Sequence, residues 1–165
     1  MTPSARRYFI GTATLVLLCL AACATPDKTA SQPSPVLFVC EHGNVKSLMA
    51  SSFFNQMAEQ RHLPFRAISR GSAPDSDTVP PRIIAGLNGD GFDVSAFHPV
   101  AVSAADVKNA HRVVTIGVPL SSEMLGDTAV EQWNDVPPAS VDYAAARASL
   151  KAHVGALLDG LAASR

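Results

Sequence analysis

An α/β fold is predicted for the chain from Val36 onward: a parallel sheet of four strands with helices on both faces. Three observations carry this. Short apolar runs alternate with segments of helical period. The first run, VLFV at 36–39, is apolar at every position, as in a strand buried on both sides. Clusters of turn residues, such as RGSAPDSDTVPP at 70–81, separate the periodic segments. Composition agrees: of 165 residues, 47% are hydrophobic and 16% charged, enough apolar material for one cored domain and against disorder. The net charge of −1, without a basic run, argues against nucleic acid as a partner.

The elements follow in order. Val36–Val39 is the first strand. Ser47 to Arg61 is a helix, because Ala50, Phe53, Phe54, Met57 and Ala58 fall on one stripe. Phe65–Ser69 is the second strand. Pro80 and Pro81 suit the first turn of a helix over 80–88, which Asn88 and Gly89 end. Ser103 is placed to cap a short helix, SAADVKNAH. Arg112–Ile116 is the third strand and AVEQW, 129–133, the fourth, with Trp133 in the core. DVPPAS is a turn, and a last helix runs from Val141 to Ala162 with Leu150, Val154, Leu157, Leu158 and Leu161 inward.

Ahead of this domain, residues 1–22 read as a signal peptide. Arg6 and Arg7 precede an apolar stretch too short to span a bilayer. LAAC, ending at Cys23, resembles the lipobox of bacterial lipoproteins, which implies lipidation of Cys23. ARRYFI is similar to a twin-arginine export signal. Residues 23–35, rich in Pro, Ser, Thr and Ala, read as a flexible tether, leaving 36–165 as the folded domain. The expectation is an exported lipoprotein, anchored to a membrane and facing the periplasm or the cell exterior. Cys19 and Cys23 lie outside the domain, so Cys40 is its one thiol and has no internal disulfide partner.

Cys40 ends the first strand, and a loop with Gly43 and Asn44 leads from it into the first helix. In open parallel sheets, ligands bind beyond the carboxyl ends of strands. Free amides at a helix N-terminus, aided by the helix dipole, form an anion site. A thiolate is the form such a field stabilises, and Lys46 adds positive charge. A thiolate beside a phosphate ester is placed to attack phosphorus. His42 reads as a brace of the loop. His98, His111 and His153 show no metal-ligand spacing, and neither metal nor cofactor is expected.

VLFVCEHGNVKSLMA, 36–50, resembles the active-site loop of the low-molecular-weight protein tyrosine phosphatases and of the related thioredoxin-coupled arsenate reductases. Their pattern is strand, Cys, five residues, Arg, Ser, helix. The likeness continues in SRGSAP at 69–74, HRVVTI at 111–116 and WNDVPPAS at 133–140. It implies a flavodoxin-like fold and hydrolysis of phosphomonoesters through a phosphocysteine. It also implies Cys40 as nucleophile, the amides of Glu41, His42, Gly43, Asn44, Val45 and Lys46 around the phosphoryl oxygens, Ser47 as hydrogen-bond partner of the thiolate and Asp135 as general acid.

Three departures stand out. Lys46 replaces the Arg, offering a point charge instead of a planar fork. The loop Asn stands one residue late, at Asn44, with Gly43 in its place. Asp135 is followed by Val136 before Pro137, where the family has Asp directly before Pro; Asp75 and Asp127 are the other carboxylates available to substitute. Substrates expected are a phosphorylated protein, a small phosphate ester or a free oxyanion, handled by a monomer. Two alternatives remain. An arsenate reductase needs further thiols, which the domain lacks. A non-catalytic oxyanion-binding domain would keep the cradle without turnover.

Overall fold

A computed structural model describes residues 34–164. The signal peptide, the lipidation site Cys23 and nearly all of the tether therefore lie outside the described residues. The elements are β1 (Val36–Cys40), α1 (Lys46–Gln60), β2 (Ala67–Gly71), α2 (Pro81–Gly89), α3 (Ala104–Asn109), β3 (Arg112–Ile116), α4 (Ser122–Leu125), β4 (Val130–Trp133) and α5 (Tyr143–Ala163). Four strands form one sheet in the order β2-β1-β3-β4, and every pair is parallel. The chain goes from β1 to one side and then crosses to the other, so the switch point lies between β1 and β3. Cys40 ends β1 at that crevice.

Period-two alternation divides the core. Val36, Phe38 and Cys40 of β1 face the larger apolar cluster, with Phe53 and Phe54 of α1, Ile83 and Leu87 of α2, and Leu150, Val154 and Leu158 of α5. Leu37 and Val39 face the smaller cluster, with Val113 and with Val107 of α3; Met124 and Leu125 of α4 pack against it. Both faces of β1 are thus buried, which is why its sequence is apolar throughout. Phe38, Phe53 and Phe54 are wholly buried, each worth about 1.5–3 kcal/mol of apolar transfer. Phe38 meets Phe54 edge-on at 5.8 Å and Trp133 at 5.4 Å, tying β1 to α1 and β4.

The local signals mostly act as the sequence suggests. Ser103 caps α3 in a full capping box with Asp106. Pro81 opens α2. Element bounds shift by one or two residues, most tellingly in β2 and α5. β2 runs two residues later than the apolar pattern, because Arg70 and Gly71 pair with Val39 and Cys40. α5 begins at Tyr143, not Val141, since the Asp142 side chain accepts from Ala145 N–H and caps it. A single four-residue turn, α4, is capped by Ser121 and was not expected from the periodicity.

Candidate active site

The loop from Cys40 to Lys46 is shaped by two glycines. Gly43 has φ +77°, and a Cβ there would come within 2.6 Å of the Gly71 nitrogen. A Cβ on Gly71 would in turn lie 2.7 Å from the His42 carbonyl carbon. Their bareness lets the loop lie against the end of β2. Loop carbonyls are then satisfied from that side: Ser72 N–H donates to Cys40 O at 2.9 Å, Ala73 N–H to Glu41 O at 2.8 Å and Ser69 Oγ–H to Gly43 O at 2.9 Å. Asn44 donates from Nδ2 to Thr78 O at 2.7 Å, fastening the loop to the segment before α2. The left-handed residue is therefore Gly43, while Asn44 acts as a brace.

The amides behave differently. Among the described residues, no backbone N–H from His42 to Val45 donates to a carbonyl or a side chain. Val45 is the N-cap of α1 and supplies no capping hydrogen bond. The first-turn N–H groups of α1 are free by helix geometry. A run of unclaimed donors thus meets the positive end of a helix dipole, the setting in which an anion binds.

Cys40 is buried at the floor of this arrangement, and its Sγ lies 3.0 Å from Ser47 Oγ. Ser47 Oγ is also 3.3 Å from Arg70 O and 2.8 Å from Ser69 Oγ. Each hydroxyl has one proton, so the network has two settings. With a thiol, S–H donates to Ser47, which donates on to Arg70 O. With a thiolate, Ser47 turns its proton to the sulfur, and the one Ser69 proton goes either to Gly43 O or to Ser47 Oγ. The Arg70 guanidinium is itself held 3.1 Å from Asp106 of α3, which fixes the strand end beneath Ser47.

Lys46 reaches across the crevice. Its Nζ lies 2.8 Å from the point where a Gly117 Cβ would stand, and Gly117 has φ +70°. The positive φ favours glycine there, and the ammonium takes up the space that a side chain would fill. The cavity above the loop measures about 600 Å³ and is lined by Cys40–His42, Asn44–Lys46, Asp75, Ile116–Val118 and Pro138–Ser140, among others. Of the expected site residues, Cys40, Glu41, His42, Asn44, Val45 and Lys46 line it, while Gly43 and Ser47 shape it from behind.

Asp135 is the correction. It does not line the cavity; its carboxylate is exposed and lies 2.9 and 3.1 Å from His153 Nε2. His153 of α5 stacks on Trp133 at 4.8 Å and 17°, holding the imidazole where it draws Asp135 away. The segment's cavity-facing residues are Pro138, Ala139 and Ser140, none of which carries a carboxylate. Arg82 of α2 fixes this wall by donating to Ser140 O and Val141 O. Tyr143 fits against Gly86 and donates to Asp90 at 2.8 Å; burial and then the Asp90 carboxylate push its phenol well above the ordinary value, so it stays a donor.

Of the two carboxylates named beside Asp135, Asp75 lines the cavity, as Glu41 of the loop does, and Asp127 does not. Asp75 Oδ1 lies 3.0 Å from His42 Nδ1. That nitrogen is buried and off the line of a formed hydrogen bond, so the contact is a close approach within reach of becoming one. The Asp75–His42 pair had a sequence signal only in its residue types. The Gly117–Lys46 fit had none. Among the described residues, no group of three or more His, Cys, Asp or Glu is placed to hold a metal ion.

The family model described as low molecular weight phosphotyrosine protein phosphatase matches residues 35–130. No curated protein matches. The fold is similar to that of an arsenate reductase from Archaeoglobus fulgidus, 26% identical, with TM-score 0.62 over 75% of this chain and 98% of that one. It is also similar to the arginine phosphatase YwlE with a phosphorylated active-site serine, 18% identical, TM-score 0.68, over 79% and 97%. A low molecular weight protein tyrosine phosphatase from T. tengcongensis is 19% identical, with TM-score 0.63 over 76% and 98%.

Proposed function

The chain belongs to the low molecular weight phosphotyrosine protein phosphatase family, and from that premise we propose that it hydrolyses phosphomonoesters with Cys40 as nucleophile. One observation carries the reading: the Cys40 sulfur, in contact with Ser47, sits at the foot of unclaimed amides and an uncapped helix N-terminus. The amides of His42–Lys46 hold the phosphoryl oxygens and Lys46 balances their charge. The thiolate attacks phosphorus, the ester P–O bond breaks and phosphocysteine forms. Water then attacks phosphorus, the S–P bond breaks and phosphate leaves with the thiolate restored. Lys46 gives up the bidentate grip of an Arg, which costs about 10²–10³ in rate where such a donor serves the transition state alone.

The purified chain should release phenolate from a chromogenic aryl phosphate, and Cys40→Ser should lower that turnover at least about 10³-fold. Undiminished turnover in Cys40→Ser would sink the proposal. Binding of phosphate without turnover by the wild type would favour an oxyanion-binding domain. Arsenate reduction finds less support, because Cys40 is the one cysteine of the domain and the reaction consumes further thiols. Arsenite release dependent on added thiol would restore it. The substrate is a phosphorylated protein or a small phosphate ester.

We also propose that the domain works outside the cytoplasm, tethered through lipid on Cys23, on the strength of LAAC after an apolar stretch and Arg6–Arg7. A fatty-acid label should enter the expressed protein and be lost in Cys23→Ala. Equal labelling of both forms would exclude that anchor.

A further inference from the structure

The wall that faces the cradle brings no carboxylate to the cavity, which leaves the departing oxygen of an ester without the expected proton source. We propose that His42, oriented by Asp75, is the catalytic proton donor, a deepening that rests on the hydrolase reading above. His42 stands two residues after the nucleophile and lines the same cavity. Its Nδ1 is shut away from solvent 3.0 Å from Asp75 Oδ1, yet its side chain is 40% exposed. The exposed part is therefore the rest of the ring, which carries Nε2. Attack from the cradle floor drives the leaving oxygen in line, away from the sulfur and out into the cavity that His42 lines.

Imidazole is the side chain that carries and releases a proton near neutral pH. Asp75 is a positioning residue: it faces Nδ1 and selects the ring orientation that presents Nε2. The contact is off-line in the free protein, as catalytic hydrogen bonds often are before substrate tightens them. The other charged groups near the ring are Glu41, 3.7 Å from Nε2, and Lys46 in the same cavity. Glu41 belongs to the loop itself and is 66% exposed, so substrate displaces it toward solvent without opening the core.

The steps balance. As Sγ bonds to phosphorus and the P–O ester bond breaks, Nε2–H gives its proton to the leaving oxygen, which departs as an alcohol or phenol. The neutral imidazole then takes a proton from water as that water attacks phosphorus and the S–P bond breaks. Phosphate, thiolate and imidazolium result, with water the only co-reactant.

The test uses two esters that differ in their need for a proton. In His42→Gln, kcat/KM for phenyl phosphate should fall about 10²–10³-fold, while that for 2,4-dinitrophenyl phosphate should fall less than about threefold. Asp75→Asn, a change at a largely exposed residue, should show the same selectivity at about tenfold. The rate of Cys40 alkylation and its protection by phosphate should match wild type in both. Equal losses on both esters, or altered protection by phosphate, would make His42 a loop brace and overturn the inference while leaving the hydrolase reading intact. A wild-type chain inactive on both esters, or undiminished by Cys40→Ser, would fail the hydrolase reading and the inference together.

Discussion

The floor and the far wall of the cavity are built on different principles. The floor, Cys40 to Ser47, uses backbone amides, two bare glycines and short contacts to the end of β2. The wall, around 134–142, is set by side chains from distant elements: Arg82 on α2, the Asp90–Tyr143 contact and His153 on α5. A floor made of main chain tolerates much change in side chains, provided the glycines stay. A wall that depends on one carboxylate loses its chemistry when the partner of that carboxylate changes sides. Here the floor is intact while Asp135 points to His153.

The strongest way to break the contrast is Gly43→Ala. A methyl group 2.6 Å from the Gly71 nitrogen, at a positive φ, should destabilise the domain by about 3 kcal/mol and lower Tm by about 10 °C, read by calorimetry. A loss below about 0.5 kcal/mol would mean that the floor is not fixed by its main chain. Lys46→Arg is milder. A guanidinium able to bind two phosphoryl oxygens should raise kcat/KM on an aryl phosphate about tenfold. No gain would mean that the fit at Gly117 admits the ammonium alone. Asp135→Asn should be the smallest, changing kcat less than about twofold. A fall of 10² or more would return Asp135 to the role of acid and erase the distinction between floor and wall.

The floor was legible because its signals are short in range. Strand, Cys, loop, Ser and helix lie within fifteen residues, 36–50, and each acts through backbone conformation or a neighbour. Ser103 and Pro81 were readable for the same reason: a cap needs only its own helix. The position of Asp135 was not, since it follows from an imidazole eighteen residues onward, stacked on a tryptophan. The end of β2 was misplaced because Gly71 reads as a turn residue, whereas here it supplies close approach to His42. The turn α4 has too few residues for a period to show.

One consequence follows from where the sheet places β2. It is an edge strand, and the Asn55 amide at Ala67 and one bridge from Gly71 to Ala101 stand where a further strand would pair. Ser69, Gly71, Ser72 and Ala73, which moor the nucleophile's loop, all sit on or just past this border. Borders of sheets fray before their centres do. Anything that peels this hem, whether heat or a competing strand, therefore silences the thiol well before the hydrophobic interior melts.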